Sequence, residues 1–491
     1  MGHSKLSKHS LKRGVFITPI NSLPNIQELE DEKSWTYGRM PEYLWIGLIL
    51  DYFGREEGLR KACYIVSELH KLAPALSSAR LSQILRLDEE IQSQFYKYIV
   101  SIGARDALIP LTVLFTVSRT PVFSEFFSCL KEGIDNRCET IVQVMSNLMD
   151  HQSHESTDIR FIALYYNYIS GKINLLEEQM ELLNLYPETK HTDEIMREIR
   201  GRVRVLEMII LTFEKVDSEY LREFWRCVSE MTECNIVTVH FKDEERVISG
   251  YINMLQEIFV YLSDLFVIAD PLDEKMNVLL GIATYSLKRF KEINNHHLFN
   301  SLAGRSCLRV MIENYIMMKY LIKNEEHHVN IWRDYQIYGI GQYKLVLSRY
   351  RESAIADDVP FDTSYIEAIV NEFKNEEFIN MDTRYFDQQN IRKKAEIVNE
   401  ADLYGLYYDY TTSFEHGLWG AIRESSLLKC FNPAHKYHCI PDINDEIRLK
   451  SIMPDCIMVM NKTIILLNEL YSIPEQLLNE VINFEIKPAF K

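Results

Sequence analysis

Residues 302–322 read LAGRSCLRVMIENYIMMKYLI, and residues 403–422 read LYGLYYDYTTSFEHGLWGAI. Both stretches are apolar in nearly every helical direction, yet each carries a line of polar side chains. In the first, Leu302, Leu308, Val310, Met311, Ile312, Ile316 and Leu321 surround Arg305, Arg309 and Glu313. Four residues advance a helix by about 400°, so these three drift only ~80° and share one stripe. In the second and just beyond it, Asp409, Ser413, His416 and Glu424 line up, with Gly417 and Gly420 beside them and Tyr404, Tyr407, Tyr408 and Tyr410 close by. A helix that is greasy all round belongs in a core, and charges inside it must be paired or used. The two polar lines are therefore expected to face each other.

The same period runs through most of the chain. The segment MPEYLWIGLILDYFGREEGLRKACYIVSEL (Met40–Leu69) places Leu44, Leu48, Tyr52, Leu59, Cys63, Val66 and Leu69 near one face, with Pro41 at its start. SEYLREFWRCVSEM and SGYINMLQEIFVYLSDLFVIA behave alike, and TSYIEAIVNEF is amphipathic. Only NIVTVHF (Asn235–Phe241) alternates as a strand does, and no partner for it is evident. The expected fold class is all-α, with two packed helical units, the C-terminal one a bundle. The expected divisions are a basic then polar lead-in at 1–40, an N-terminal helical domain at 41–240, a bundle at 241–475 and a tail at 476–491. The polar segment FKDEERV opens the second unit, Asp270 and Pro271 break helices inside it, and EIKPAFK ends the tail.

Composition narrows the function. The 491 residues carry a formal charge of -17, which argues against a general DNA-binding surface. The basic stretch at Lys5, Lys8, Lys12 and Arg13 reads as a solvated extension. Nine cysteines, an odd number with no Cys-x-x-Cys pair, indicate neither a disulfide framework nor a zinc ribbon. The apolar run ALIPLTVLFTV is too short to span a bilayer, and the start has no signal-peptide core. A cytoplasmic protein with no membrane association is the expectation. Phosphate-loop, dinucleotide, zinc-protease and serine-hydrolase motifs are missing, and no cofactor is assigned.

Three clusters could carry chemistry. In the first, Arg309, Glu313, Ser413 and His416 converge: arginine holds an anion, histidine moves a proton, and glutamate orients one of them. Arg305, Tyr338 and Tyr410 are the accompanying ligand-binding candidates. The alternative is that these groups satisfy one another between packed helices. In the second, CFNPAHKYHCIPD (Cys430–Asp442), Cys430, His435, His438 and Cys439 are metal-ligand types, but the adjacent His438 and Cys439 suit one ion poorly and the spacing matches no finger. His435 and His438 are thus weak metal candidates, and a rigid loop packing near the Ser413/His416 helix is the favoured reading. In the third, Arg289 and His296 fit the permissive R-x(4–6)-H pattern of helical ribonucleases.

The Leu302–Ile322 run, WRDYQIYGIGQYKL, YDYTTSFEHGLWGAI and NPAHKYHCIP together resemble an uncharacterised bacterial helical family, domain of unknown function 5677. The resemblance spans roughly Val247 to Leu470, and MPEYLWIGLILDYFGREEGL is similar to the N-terminal half of longer members. The matching positions are Arg309, Glu313, Tyr338, Ser413, His416, His435 and His438. The family implies a helical bundle with no established activity, akin to nucleotide-binding and phage-defence proteins. The chain departs from a ribonuclease motif because no arginine precedes His416 at the required spacing. Two functions follow as expectations. One is a phage-defence or toxin-like effector acting on nucleotide or RNA phosphodiesters. The other is a non-enzymatic scaffold or sensor whose Arg/Glu/Ser/His cluster is structural, with a protein partner or a second copy of itself.

Overall fold

The computed structural model describes residues 9–17, 34–115, 119–128, 133–174, 176–211, 216–238, 241, 248–269, 273–352, 359–371, 386–444 and 449–484. Lys5, Lys8, nearly all of FKDEERV, Asp270, Pro271 and EIKPAFK lie outside these residues. The fold is all-α, as the periodicity predicts. Strands among the described residues are short: a hairpin pairing Ser10–Lys12 with Val15–Ile17, and a three-stranded sheet of Ile236–Val237, Leu427–Cys430 and Cys439–Pro441. The chain divides into two compact units. One comprises Met1–Val237 with Lys429–Ile440, the other Thr238–Leu428 with Pro441–Lys491.

This division places CFNPAHKYHCIPD differently from the sequence reading. Residues 429–440 belong to the first unit and not to the bundle. The missing partner of NIVTVHF explains why: Ile236 pairs with Cys430 and Val237 with Lys429 in antiparallel register.

In the first unit, Met40–Leu69 is two helices rather than one continuous face. Met40–Phe53 ends at Gly54, whose φ of +74° favours glycine, and Arg55–Leu72 follows. The first of these helices is buried on nearly every side, so Leu44, Leu48, Ile46 and Ile49 all enter the core, each contributing about 1.5–3 kcal/mol. Tyr52 is exposed, since the helix ends beside it. Trp35 and Trp45 satisfy their indole N–H groups on the carbonyls of Leu148 (2.8 Å) and Ala79 (3.1 Å).

The second unit is built on the helices Ser249–Ala269, Glu274–Asn295, Leu302–Asn324, Ile331–Glu352 and Met453–Tyr471. Ser301 caps the third of these, its hydroxyl accepting from the Gly304 N–H at 2.9 Å. Leu308, Met311, Ile312 and Ile316 pack with Leu279, Ala283, Met460, Ile464 and Leu467 in one core. Leu302 is exposed and Val310 half-buried, so the Arg309 helix keeps a partly open side and is not buried all round. The Ser249–Ile268 segment is long and apolar enough to cross a membrane by length and composition, with 22% of its most apolar stretch buried. It exceeds ALIPLTVLFTV, on which the sequence reading relied. Its inner face, Tyr251, Leu255, Ile258 and Leu262, belongs to the core.

Candidate functional site

Arg309 is engaged on every nitrogen of its guanidinium. Nε donates to Thr412 Oγ1 at 3.1 Å, Nη2 donates to the Tyr408 hydroxyl at 2.7 Å, and Nη1 faces Glu313 Oε2 at 3.6 Å. The Tyr408 hydroxyl in turn donates to Glu313 Oε2 at 3.1 Å, which closes the circuit. The guanidinium carbon also lies 4.7 Å from the centre of the Tyr408 ring. The side chains of Arg309 and Glu313 are 20% and 33% exposed, so the cluster sits at the edge of the core. Burial, and then the Glu313 charge, push the Tyr408 phenol well above its ordinary pKa. Tyr404 stacks on Tyr408 at 4.9 Å, and Tyr335 is raised by burial and then by Glu313.

Ser413 and His416 do not meet this cluster. The helical stretch containing them is three elements: a π-helical turn at Leu403–Tyr408, an α-helix at Asp409–Glu415, and a second α-helix at Trp419–Ser426. The break is a Schellman cap. Gly417 adopts φ +56°, its N–H donates to the Phe414 carbonyl at 3.3 Å, and the Leu418 N–H donates to the Ser413 carbonyl at 2.8 Å. His416 is the C-cap just past Glu415, exposed, and its imidazole makes no hydrogen bond among the described residues. Ser413 returns its hydroxyl to the Tyr410 carbonyl at 2.6 Å. The groups that meet Arg309 are thus Tyr408 and Thr412, whereas Ser413, next along the helix, is turned away.

Arg305 is 1% exposed and makes its own connections. It donates to the carbonyls of Ser301 (3.2 Å) and Lys450 (2.8 Å), and its guanidinium lies 5.1 Å from the Phe414 ring centre. Tyr410 is raised by burial and then by its 2.8 Å hydrogen bond to Glu424. Tyr338 packs with Phe386 at 6.1 Å. Arg289 donates to the Tyr285 hydroxyl and to Glu292, and no hydrogen bond joins it to His296 among the described residues. The wider bundle has a second anchor that the sequence reading missed. Glu400, nearly buried, accepts from Tyr315 (2.9 Å), Lys319 (2.7 Å) and Lys462 (3.2 Å).

In the first unit, Cys430, His435 and His438 are joined by Cys234, not by Cys439. One nitrogen or sulfur from each of the four lies within 4.8 Å of the others. Cys439 opens the Cys439–Pro441 strand, where successive side chains point to opposite faces. Nothing in local spacing announces Cys234, which is 201 residues before His435.

Another polar centre in this unit also escaped the sequence reading. Asp158 accepts from Arg55 Nε at 3.1 Å and from the Tyr186 hydroxyl at 2.7 Å, and lies 3.2 Å from His191 Nε2. An aspartate inside the apolar stretch DIRFIALYYNYI was the available signal. A cleft of about 690 Å³ beside it is lined by Arg55, Arg60, Cys63, Lys190 and His191. Two further clefts, of about 610 and 350 Å³, are lined by Arg86, Arg119 and Arg222 and by Phe259, Thr284 and Lys288 among others. None of the three is lined by Arg309, Glu313, Ser413 or His416.

Comparison with known proteins agrees with the resemblance. No curated protein and no solved structure matches the chain. Residues 276–435, which hold Arg309, Glu313, Tyr408 and Thr412, match the model of a family of unknown function, DUF5677.

Proposed function

We propose that the second unit is a non-enzymatic helical scaffold, and that the Arg309–Glu313–Tyr408–Thr412 cluster is its structural joint. The observation that carries this reading is the closed circuit: Arg309 donates to Thr412 and Tyr408 on the facing helix, and Tyr408 donates to Glu313, which also pairs with Arg309. The group that would move a proton in a phosphodiesterase, His416, stands apart from this cluster and is exposed. The neighbouring Leu418, Trp419 and Ile422 are exposed apolar side chains suited to a protein partner.

The test is a paired measurement on the full chain. Arg309→Ala should lower the unfolding free energy by about 1–3 kcal/mol, and His416→Ala should leave it unchanged. Purified protein should not hydrolyse RNA or nucleotides. Hydrolysis that disappears in a fully folded His416→Ala variant would establish the phosphodiesterase reading instead.

One observation favours enzymatic chemistry elsewhere. The Asp158–His191 pair opens on the 690 Å³ cleft, whose rim carries Arg60 and Lys190 together with Glu56 and Glu188, and an imidazole oriented by a carboxylate suits proton transfer on a small polar molecule such as a nucleotide. Nucleotide hydrolysis lost in His191→Ala and kept in His416→Ala would support it, and unchanged hydrolysis in His191→Ala would remove it.

A further inference from the structure

We propose that Cys234, Cys430, His435 and His438 hold a zinc ion that fastens the 429–440 segment to the end of the Ser218–Glu230 helix. A tetrahedral zinc with Zn–S near 2.3 Å and Zn–N near 2.0–2.1 Å has ligand–ligand edges of about 3.3–3.8 Å. Three edges of this cluster are already close to that size. Cys234 Sγ lies 3.3 Å from His435 Nδ1 and 3.2 Å from His438 Nε2, and Cys430 Sγ lies 3.6 Å from His435 Nδ1. Two sulfurs and two imidazoles are a donor set that zinc takes readily and that calcium and magnesium do not.

The surroundings prepare each ligand. His435 turns Nε2 to the Thr232 carbonyl at 3.0 Å. This hydrogen bond keeps the proton on Nε2 and leaves the Nδ1 lone pair facing both sulfurs, as second-sphere carbonyls do in metal sites. The Asn432 N–H donates to Cys430 Sγ at 3.4 Å, which fixes the position of the sulfur. The Asn432 side chain in turn binds Thr232 Oγ1 and the Glu233 carbonyl, both at 2.9 Å. Lys436 and Tyr437 adopt φ of +53° and +50°, and this double left-handed turn folds His438 back so that its carbonyl accepts from the Cys430 N–H at 2.9 Å. Two successive non-glycine residues in that region carry a cost that a coordinated ion would offset.

Charge also balances. On binding Zn²⁺ the two thiols release two protons, and two thiolates with two neutral imidazoles leave the site uncharged. All four positions are filled by protein, which is the pattern of a structural ion and not of a catalytic one. The sequence gives no finger-like spacing because the first ligand comes from one end of the unit and the other three from a segment that returns to it.

The experiment uses the full chain purified in reductant from zinc-supplemented medium, with metal content read by mass spectrometry. One zinc per chain is expected. After chelation and refilling with Co²⁺, visible bands of a tetrahedral thiolate site should appear. Cys234→Ser and His438→Ala, at exposed positions, should lose the zinc while circular dichroism reports retained helix. Cys439→Ser should keep it. The proposal is overturned by any of three results: protein that takes up neither ion, zinc retained equally in Cys234→Ser and wild type, or a Cys234–Cys430 disulfide in protein purified under reductant.

Discussion

The hydroxyl of Tyr408 stands between Arg309 and Glu313, accepting from Arg309 Nη2 at 2.7 Å and donating to Glu313 Oε2 at 3.1 Å. One phenol thus links two side chains that lie a turn apart on the neighbouring helix. Direct contact between Arg309 and Glu313 is looser, at 3.6 Å. An i,i+4 pair of this kind contributes only about 0.3–0.5 kcal/mol by itself. The joint therefore depends on the facing helix.

His416→Ala should change the unfolding free energy by less than about 0.5 kcal/mol, as exposed substitutions away from such features do. Urea titration followed by circular dichroism measures it. A loss of several kcal/mol would mean that the imidazole has a structural partner.

The Glu400 anchor gives a pH dependence. Burial opposes its ionisation, but hydrogen bonds from Lys319 and Tyr315, and the charges of Lys319 and Lys462, hold its carboxyl below the usual range. A depressed folded-state pKa contributes stability that is present above the unfolded carboxylate pKa of about 4.3 and is lost as pH falls through the folded value. Glu400→Gln should therefore cost about 1–3 kcal/mol at pH 7, and the gap to wild type should close progressively below about pH 4.3. Parallel unfolding curves from pH 7 to pH 3 check this. A gap independent of pH would show that Glu400 does not titrate differently on folding.

Two glycines should respond with opposite sign. A Cβ on Gly304 would come 2.0 Å from the Leu298 carbonyl oxygen, a backbone atom that cannot swing aside. Gly304→Ala should cost about 1–3 kcal/mol or more. Gly281, inside the Glu274–Asn295 helix, has nothing within 4 Å of such a Cβ. Gly281→Ala should stabilise by about 0.5–1 kcal/mol. Melting curves of the two variants decide it, and a neutral Gly304→Ala would mean that the Leu298 loop is not seated there.

Much of the bundle could be read from periodicity alone. The Arg309 helix, the Ser249–Ala269 helix and the short Thr363–Val370 helix all lie where apolar spacing predicts them. The facing register could not be read. The Leu403–Tyr408 turn is a π-helix, and each residue added per turn shifts a 3.6-residue wheel by roughly 100°. From its end onward, Tyr408 and Thr412, four residues apart, form the face that meets Arg309, one position off the polar line of Asp409, Ser413 and His416. Gly417 signalled the end of the helix, but a glycine inside an apolar run is ambiguous without the cap geometry. Cys234 was illegible for a different reason: its partners depend on a strand pairing between residues far apart in the chain, which no local pattern encodes.

The most direct test of the joint is a double-mutant cycle with Arg309→Ala and Tyr408→Phe, measured by urea unfolding of the full chain. Tyr408→Phe keeps the ring and removes only the hydroxyl that both Arg309 and Glu313 contact. Each single change should destabilise, and the double variant should lose less than their sum, with a coupling of at least about 0.5 kcal/mol. Strict additivity would contradict it, because the two side chains would then be making independent contributions and the circuit between the helices would carry no energy.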